Sequence, residues 1–244
     1  MGAAVSSPQK MAAAREKLIV ALDFATPREA EALVTGLGDT VSFYKIGLEL
    51  AYGGGLPFAQ DLIRDGKQVF LDLKLHDIPA TVSRACAQVA GSGARFLTVH
   101  AFPQTMKAAK LAAAGSSLRI LGVTVLTSCD DRDLADAGYA YGVRDLVSRR
   151  SAQACEVGID GLILSAEEAS VIRASVGNKM ILVTPGIRQE GSTAADQKRT
   201  TTPAAAIAAG ADYLVVGRPV TQAKNPREAA AAIVTEIACA LGTR

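Results

Sequence analysis

Residues 68–79 read QVFLDLKLHDIP. The first four form an apolar, β-prone run of the kind that makes a buried strand, and a helical pattern follows over 79–91. Between strand and helix lie three charges, Asp72, Lys74 and Asp77, within six positions. The same unit, an apolar run followed by an Ala-rich helical segment, recurs along the chain. The runs are LIVALD (18–23), VSFYKI (41–46), QVFLDLK (68–74), RFLTVH (95–100), RILGVTVL (119–126), GLILS (161–165), MILVTP (180–185) and DYLVVG (212–217). Helical patterns cover 27–37, 55–65, 79–91, 103–113, 143–157, 166–175, 203–209 and 226–241. Nearly continuous apolar strands alternating with helices imply parallel strands covered by helices. Eight such units predict a (β/α)8 TIM barrel, with a doubly wound open sheet as the alternative.

Local punctuation agrees with this division. Thr26-Pro27, Thr202-Pro203 and Asn225-Pro226 each place a capping side chain before a proline in the first helical turn. Gly66, Gly158 and Gly210 stand where helices should stop. No low-complexity linker divides the 244 residues, so one barrel domain is expected over 17–244. Residues 1–16 are expected to be a disordered extension or a short helix. MGAAVS fits the myristoylation pattern, but a motif this short recurs by chance. It is read as part of an Ala/Ser-rich extension, with Met11 as an alternative start. No apolar stretch there matches a signal peptide.

Composition narrows the function. The net charge is +2 with acids and bases interspersed, unlike the basic field of a nucleic-acid binder. No apolar run approaches the length of a membrane span. Cys86, Cys129, Cys155 and Cys239 show neither CxxC nor metal-ligand spacing. They are expected to be reduced, small packing residues of a cytoplasmic protein.

In such a barrel the site is built at the C-terminal ends of the strands. Those ends carry Asp23, Lys45, Asp72 with Lys74, His100, Thr127 with Ser128, Pro185-Gly186-Ile187-Arg188 and Gly217-Arg218. Side chains alternate along a strand, so Asp72 and Lys74 should share the inward face while Leu71, Leu73 and Leu75 meet the helices. Asp23 taken alone reads as a helix cap or an ion-pair partner, and His100 as a satisfied core histidine. Two lysines and three aspartates converging on one mouth are costly to desolvate unless mutually paired, which points to function. The loops after strands seven and eight often bind phosphate. Gly186 and Gly217 permit close backbone approach, and Arg188 and Arg218 offer planar forks to phosphate oxygens. The polar stretch RQEGSTAADQKR (188–199) between them reads as a lid, with Gln197 able to hydrogen-bond a ligand.

DLKLHDIP, with FYKIG upstream and TPGIR, DQKR and VVGRP downstream, resembles the orotidine 5′-phosphate decarboxylase family from about residue 18 to the C-terminus. The resemblance implies an alternating Lys-Asp-Lys-Asp network at Lys45, Asp72, Lys74 and Asp77. It also implies a homodimer in which Asp77, Ile78 and Thr81 complete the neighbouring site. Asp23 matches the ribose-contacting position and Thr127 the pyrimidine-contacting one. Arg188, Gln197, Gly217 and Arg218 match the phosphate positions. The chain departs from many members after His100-Ala101, where FPQTM replaces small, Gly-rich sequence and puts the packing of that helix in question.

The implied reaction removes CO2 from C6 of the pyrimidine and leaves a carbanion with no ordinary electron sink. Lys74 as an ammonium can stabilise that charge and protonate it, with Asp72 and Asp77 keeping it charged. The scheme requires no metal and no organic cofactor. Two alternatives stand beside it. One is a Mg²⁺-dependent sugar-phosphate decarboxylase or aldolase sharing a D-x-K-x-x-D core. The other is a non-catalytic phosphate-ligand binding barrel.

Overall fold

The computed structural model describes residues 7–188 and 200–242. Eight parallel strands close into a barrel: β1 (Leu18–Ala21), β2 (Phe43–Ile46), β3 (Gln68–Leu75), β4 (Phe96–His100), β5 (Arg119–Val123), β6 (Gly161–Ile163), β7 (Ile181–Thr184) and β8 (Tyr213–Val216). Neighbours in sequence pair throughout, and β8 returns to β1 with Leu18, Ile19 and Val20 opposite Leu214, Val215 and Val216. The open-sheet alternative is therefore set aside. Closure leaves the sheet without edges.

The helices follow the sequence pattern closely. Pro27–Leu37 begins with a Thr26/Glu29 capping box, and Val143–Val157 ends at Gly158, which takes the left-handed conformation of a helix stop. Apart from β3, the strands are shorter than their apolar runs, because the runs extend beyond the ladder at one end or both. Pro8–Lys17 is a short helix, one of the two forms expected of the N-terminal extension, and it packs against Pro226–Leu241. Other elements fall outside the predicted pattern. Asp131–Asp136 is a short helix closed by an Asp130/Asp133 capping box, and Arg218–Thr221 is a single turn after β8. The FPQTM segment forms its helix: Pro103–Ala112 buries Met106 and Thr105, and the Phe102 ring stacks on His76 at 4.3 Å. Residues 1–6, the whole of the myristoylation-like stretch MGAAVS, lie outside the described residues.

Two apolar regions result. Between barrel and helices lies the large core, where Leu18, Val20, Tyr44, Val69, Leu71 and Leu97 meet the helical side chains. Inside the barrel lie Ile19, Ala21, Phe43, Phe70, Phe96, Leu121, Val183 and Val215. Phe96 packs against Phe43 at 5.2 Å and edge-on against Phe70 at 5.9 Å, filling the lower barrel with aromatic rings. The alternation along a strand makes the next inward residue the one two positions on. On β2, β3 and β4 those residues are Lys45, Asp72 and Thr98, a polar layer directly above three phenylalanines.

Of the cysteines, Cys86 is buried as expected, and Cys129 is half-buried. Cys155 and Cys239 are exposed, so the expectation that they are packing residues is corrected, although the Cys155 thiol still touches Met180 Sδ at 3.2 Å. Among the described residues no helix is long and apolar enough to cross a membrane.

Candidate active site

A cavity of about 580 Å³ opens at the C-terminal ends of the strands, a volume that suits a nucleotide-sized ligand. Its charged wall runs from β1 to β3. Lys45 Nζ lies 2.9 Å from Asp23 Oδ1 and 3.6 Å from Asp72 Oδ2. Lys74 Nζ lies 2.9 Å from Asp72 Oδ1, so the charges alternate Asp23–Lys45–Asp72–Lys74. The side chains of Lys45 and Asp72 are only 9% and 13% exposed, against 28% for Lys74 and 54% for Asp23, so the wall deepens towards its middle. Gly47 closes against it: a Cβ there would stand 2.9 Å from both Asp23 Oδ1 and Lys45 Nζ. That contact explains the glycine of the FYKIG run, which the sequence reading did not single out.

Simple alternation does not by itself account for Lys74. The β3–β4 register jumps, with Leu71 opposite Leu97 but Leu75 opposite Val99, so β3 carries a bulge between them. Lys74 has φ of 48°, the one non-glycine in the left-handed region among the described residues. Past the bulge the Lys74 ammonium meets Asp72, and its backbone N–H turns to a side chain on β4. Thr98 Oγ1 accepts that N–H at 3.0 Å and donates to Asp72 Oδ1 at 2.9 Å. Thr98 was not among the candidates drawn from sequence. The signal was present as a repeated Phe-x-polar pattern in FYK, FLD and FLT.

Burial sets the electrostatics of this wall. Burial alone would push Lys45 down, but Asp72 and Asp23 outweigh it and its pKa stands above the ordinary lysine value. Burial likewise works against a charged Asp72, and Lys45 and Lys74, helped by Thr98, overcome it and hold the carboxyl below its usual range. Both groups are therefore ionised at neutral pH. The depressed Asp72 contributes stability that is present above about pH 4 and is lost as pH falls through its folded pKa. The raised Lys45 contributes stability that is present below about pH 10.4 and is lost as pH rises through its folded pKa. The unfolding free energy of the wild type should exceed that of Asp72→Asn by about 3 kcal/mol at pH 7, the lower part of the range for stripping a buried ion pair of one partner, since Asp23 remains on Lys45. Urea unfolding should find this difference steady between about pH 5 and 9 and shrinking outside that window. A difference that ignores pH would contradict the pairing.

The later strands build the rest of the cavity. Thr127 is buried at the rim, beside Leu126 and Ser128, and Val123, Val125 and Ile163 make an apolar side. Gly186, Arg188, Gly217 and Arg218 line the cavity after β7 and β8. Gly186 takes φ of 77°, a conformation that lets the backbone turn into the cavity. Gln197 and the rest of 189–199 lie outside the described residues.

Asp77, Ile78 and Thr81 do not line this cavity. Asp77 is exposed beyond β3, with Oδ1 accepting from the Ile78 N–H at 2.6 Å, and Ile78 is 65% exposed. Thr81 follows in the first turn of the helix Pro79–Ala90. His100 does not line the cavity either. Its ring meets His76 edge-on at 5.6 Å, and burial, then His76, Arg150 and Lys74, push its pKa down, which makes it a neutral packing group.

A paired-charge wall, an apolar side and two arginines thus line one cavity. Comparison with known proteins identifies the family. The sequence profile described as "Orotidine 5'-phosphate decarboxylase / HUMPS family" matches residues 16–233. An orotidine 5'-phosphate decarboxylase of Bradyrhizobium sp. strain BTAi1 is 63% identical over 229 residues, covering 94% of each chain. One of Afipia carboxidovorans is 62% identical over 226 residues, covering 93% of this chain and 96% of that protein. Among solved structures, the orotidine 5'-phosphate decarboxylase of Lactobacillus acidophilus superposes with a TM-score of 0.80 at 35% identity, covering 90% of this chain and 98% of that one. Fold, length and sequence agree over most of the molecule, and the chain belongs to the orotidine 5'-phosphate decarboxylase / HUMPS family.

Proposed function

We infer that this protein decarboxylates orotidine 5′-phosphate to uridine 5′-phosphate and CO2, the last step of de novo UMP synthesis, as a carboxy-lyase working in the cytoplasm. The observation that carries the reading is Asp72, nearly buried and held between Lys45 and Lys74 at the floor of a cavity rimmed by Arg188 and Arg218. The relatives named above, at more than 60% identity over nearly the whole chain, support the same activity.

In this mechanism the phosphate sits among Arg188, Gly217, Arg218 and Gln197, with the ribose against Asp23 and Lys45 and the pyrimidine against Thr127. The bond between C6 and the carboxylate carbon breaks, CO2 leaves, and the electron pair stays on C6. The Lys74 ammonium stabilises that pair in a water-poor site, donates a proton to C6, and is reprotonated from solvent after product release. Asp72 holds Lys74 in place and crowds the departing carboxylate. Binding energy from the distant phosphate positions the ring over Lys74. Asp77, Ile78 and Thr81 of a second copy complete each site, which agrees with their lying outside the cavity of their own chain, with Asp77 and Ile78 exposed and Thr81 half-buried.

A Mg²⁺-dependent sugar-phosphate reaction is the competing reading within the same family. It would need the Asp72 and Asp77 carboxylates of the D-x-K-x-x-D core for a metal, yet Lys45 Nζ already lies 3.6 Å from Asp72 and Asp77 does not line the cavity. A cation seated there would have to displace the lysine. The deciding experiment follows the ultraviolet loss of orotidine 5′-phosphate by purified protein, with and without EDTA. Rapid turnover indifferent to EDTA is expected. Turnover abolished by EDTA would move the assignment to the metal-dependent branch, and tight nucleotide binding without turnover would make the protein a binder.

A further inference from the structure

Thr98 occupies the centre of β4 with no solvent exposure. A hydroxyl there has one proton to give and two lone pairs to accept with. Its proton goes to Asp72 Oδ1 at 2.9 Å, and a lone pair takes the backbone N–H of Lys74 at 3.0 Å. Asp72 Oδ1 therefore receives two donors at once, the Thr98 hydroxyl and the Lys74 ammonium. The same hydroxyl satisfies the N–H that the β3 bulge removes from the ladder, at a residue whose φ of 48° would otherwise be unsupported.

We propose that Thr98 is a positioning residue for the reaction: its single hydroxyl locks the β3 bulge and fixes the Lys74 ammonium and the Asp72 carboxylate relative to each other. The proposal rests on the decarboxylase reading for its kinetic consequences, and on geometry alone for its structural ones. The bulge supplies the reason a hydroxyl is needed. A bulged strand turns the Lys74 N–H off the regular ladder, so that group needs an acceptor from a side chain. Thr98 meets that need from the neighbouring strand. The groups facing Asp72 are Lys45 from β2, Lys74 from its own strand and Thr98 from β4, with Asp23 after β1 acting through Lys45 and His100 at the last position of β4.

Three variants test this: Thr98→Val keeps the branched shape without the hydroxyl, Thr98→Ser keeps the hydroxyl with less bulk, and Thr98→Ala removes both. In Thr98→Val, kcat should fall by about 10- to 100-fold, the scale of small misplacements of reacting groups, with KM changed by less than about 3-fold. Thr98→Ser should recover most of that loss, and Thr98→Ala should resemble valine. The acidic limb of the kcat–pH profile should move to higher pH in Thr98→Val, because the Asp72 carboxylate loses a donor that favours its charged form. Carboxylate NMR titration of the substrate-free protein reads the same shift without turnover. If the wild type fails to turn over orotidine 5′-phosphate, the functional reading falls while this titration still decides the role of Thr98. Wild-type kcat with an unmoved Asp72 titration in Thr98→Val would overturn the proposal. Equal losses in valine and serine would also overturn it, since they would trace the effect to packing.

Discussion

Alanine in place of Lys74 is expected to lower kcat for orotidine 5′-phosphate by about 10⁴-fold or more. Lys74 has two tasks in the proposed reaction, and each carries a large share of the barrier. A fixed cation beside a developing carbanion is worth about 10²- to 10³-fold, and a positioned proton donor about 10²- to 10⁴-fold. The side chain is the most accessible of the three ions at the cavity floor, 28% exposed against 13% for Asp72 and 9% for Lys45, so it is the one that can reach a ligand. Removing it leaves Asp72 paired with Lys45 and hydrogen-bonded to Thr98, so the fold should survive. KM should change far less than kcat, because the proposed phosphate contacts at Arg188 and Arg218 are left in place. The ultraviolet assay and a thermal midpoint on the same sample check both statements. A loss below about 100-fold would take the proton-donor role away from Lys74.

The second large effect concerns Asp77. Its carboxylate is exposed outside the cavity of its own chain, so a purely local reading assigns it nothing. If it completes the site of a second copy, Asp77→Ala should lose about 10²- to 10³-fold in kcat, because the charge chain then ends at Lys74. The discriminating result is complementation. Mixing inactive Asp77→Ala with inactive Lys74→Ala should restore activity, since a heterodimer contains one site with both residues intact. Random exchange of equal amounts should regain about a quarter of the wild-type sites, half the dimers being mixed and each of those having one good site of two. The double variant mixed with either single one should regain nothing. Failure of the single variants to complement each other after subunit exchange would place Asp77 elsewhere in the mechanism.

Much of this molecule could be read along the chain. Helices 27–37 and 143–157 matched residue for residue, because caps, first-turn prolines and stop glycines are local chemistry. Strand ends were read too long, as at Thr124–Leu126, because an apolar run does not show where its last neighbour stops bonding. The short helix Asp131–Asp136 was missed because six residues are too few for a periodic pattern, although its capping box was there to see. Of the candidate site residues, Asp23, Lys45, Asp72, Lys74, Thr127, Arg188, Gly217 and Arg218 reach one cavity, while Asp77, Ile78 and Thr81 do not.

What the sequence determined by itself was the alternation of strand and helix, and with it the barrel and the end of the barrel where polar residues gather. Those features repeat with a period that a single chain displays. Only the tertiary structure decided how the charges meet. The bulge at Lys74 exists through the register of β3 against β4, and the bond from Thr98 joins residues 24 and 26 positions apart. Register is a relation between two strands, and a hydroxyl in the middle of an apolar run acquires its role only when the neighbouring strand presents an unpaired N–H and a carboxylate to it.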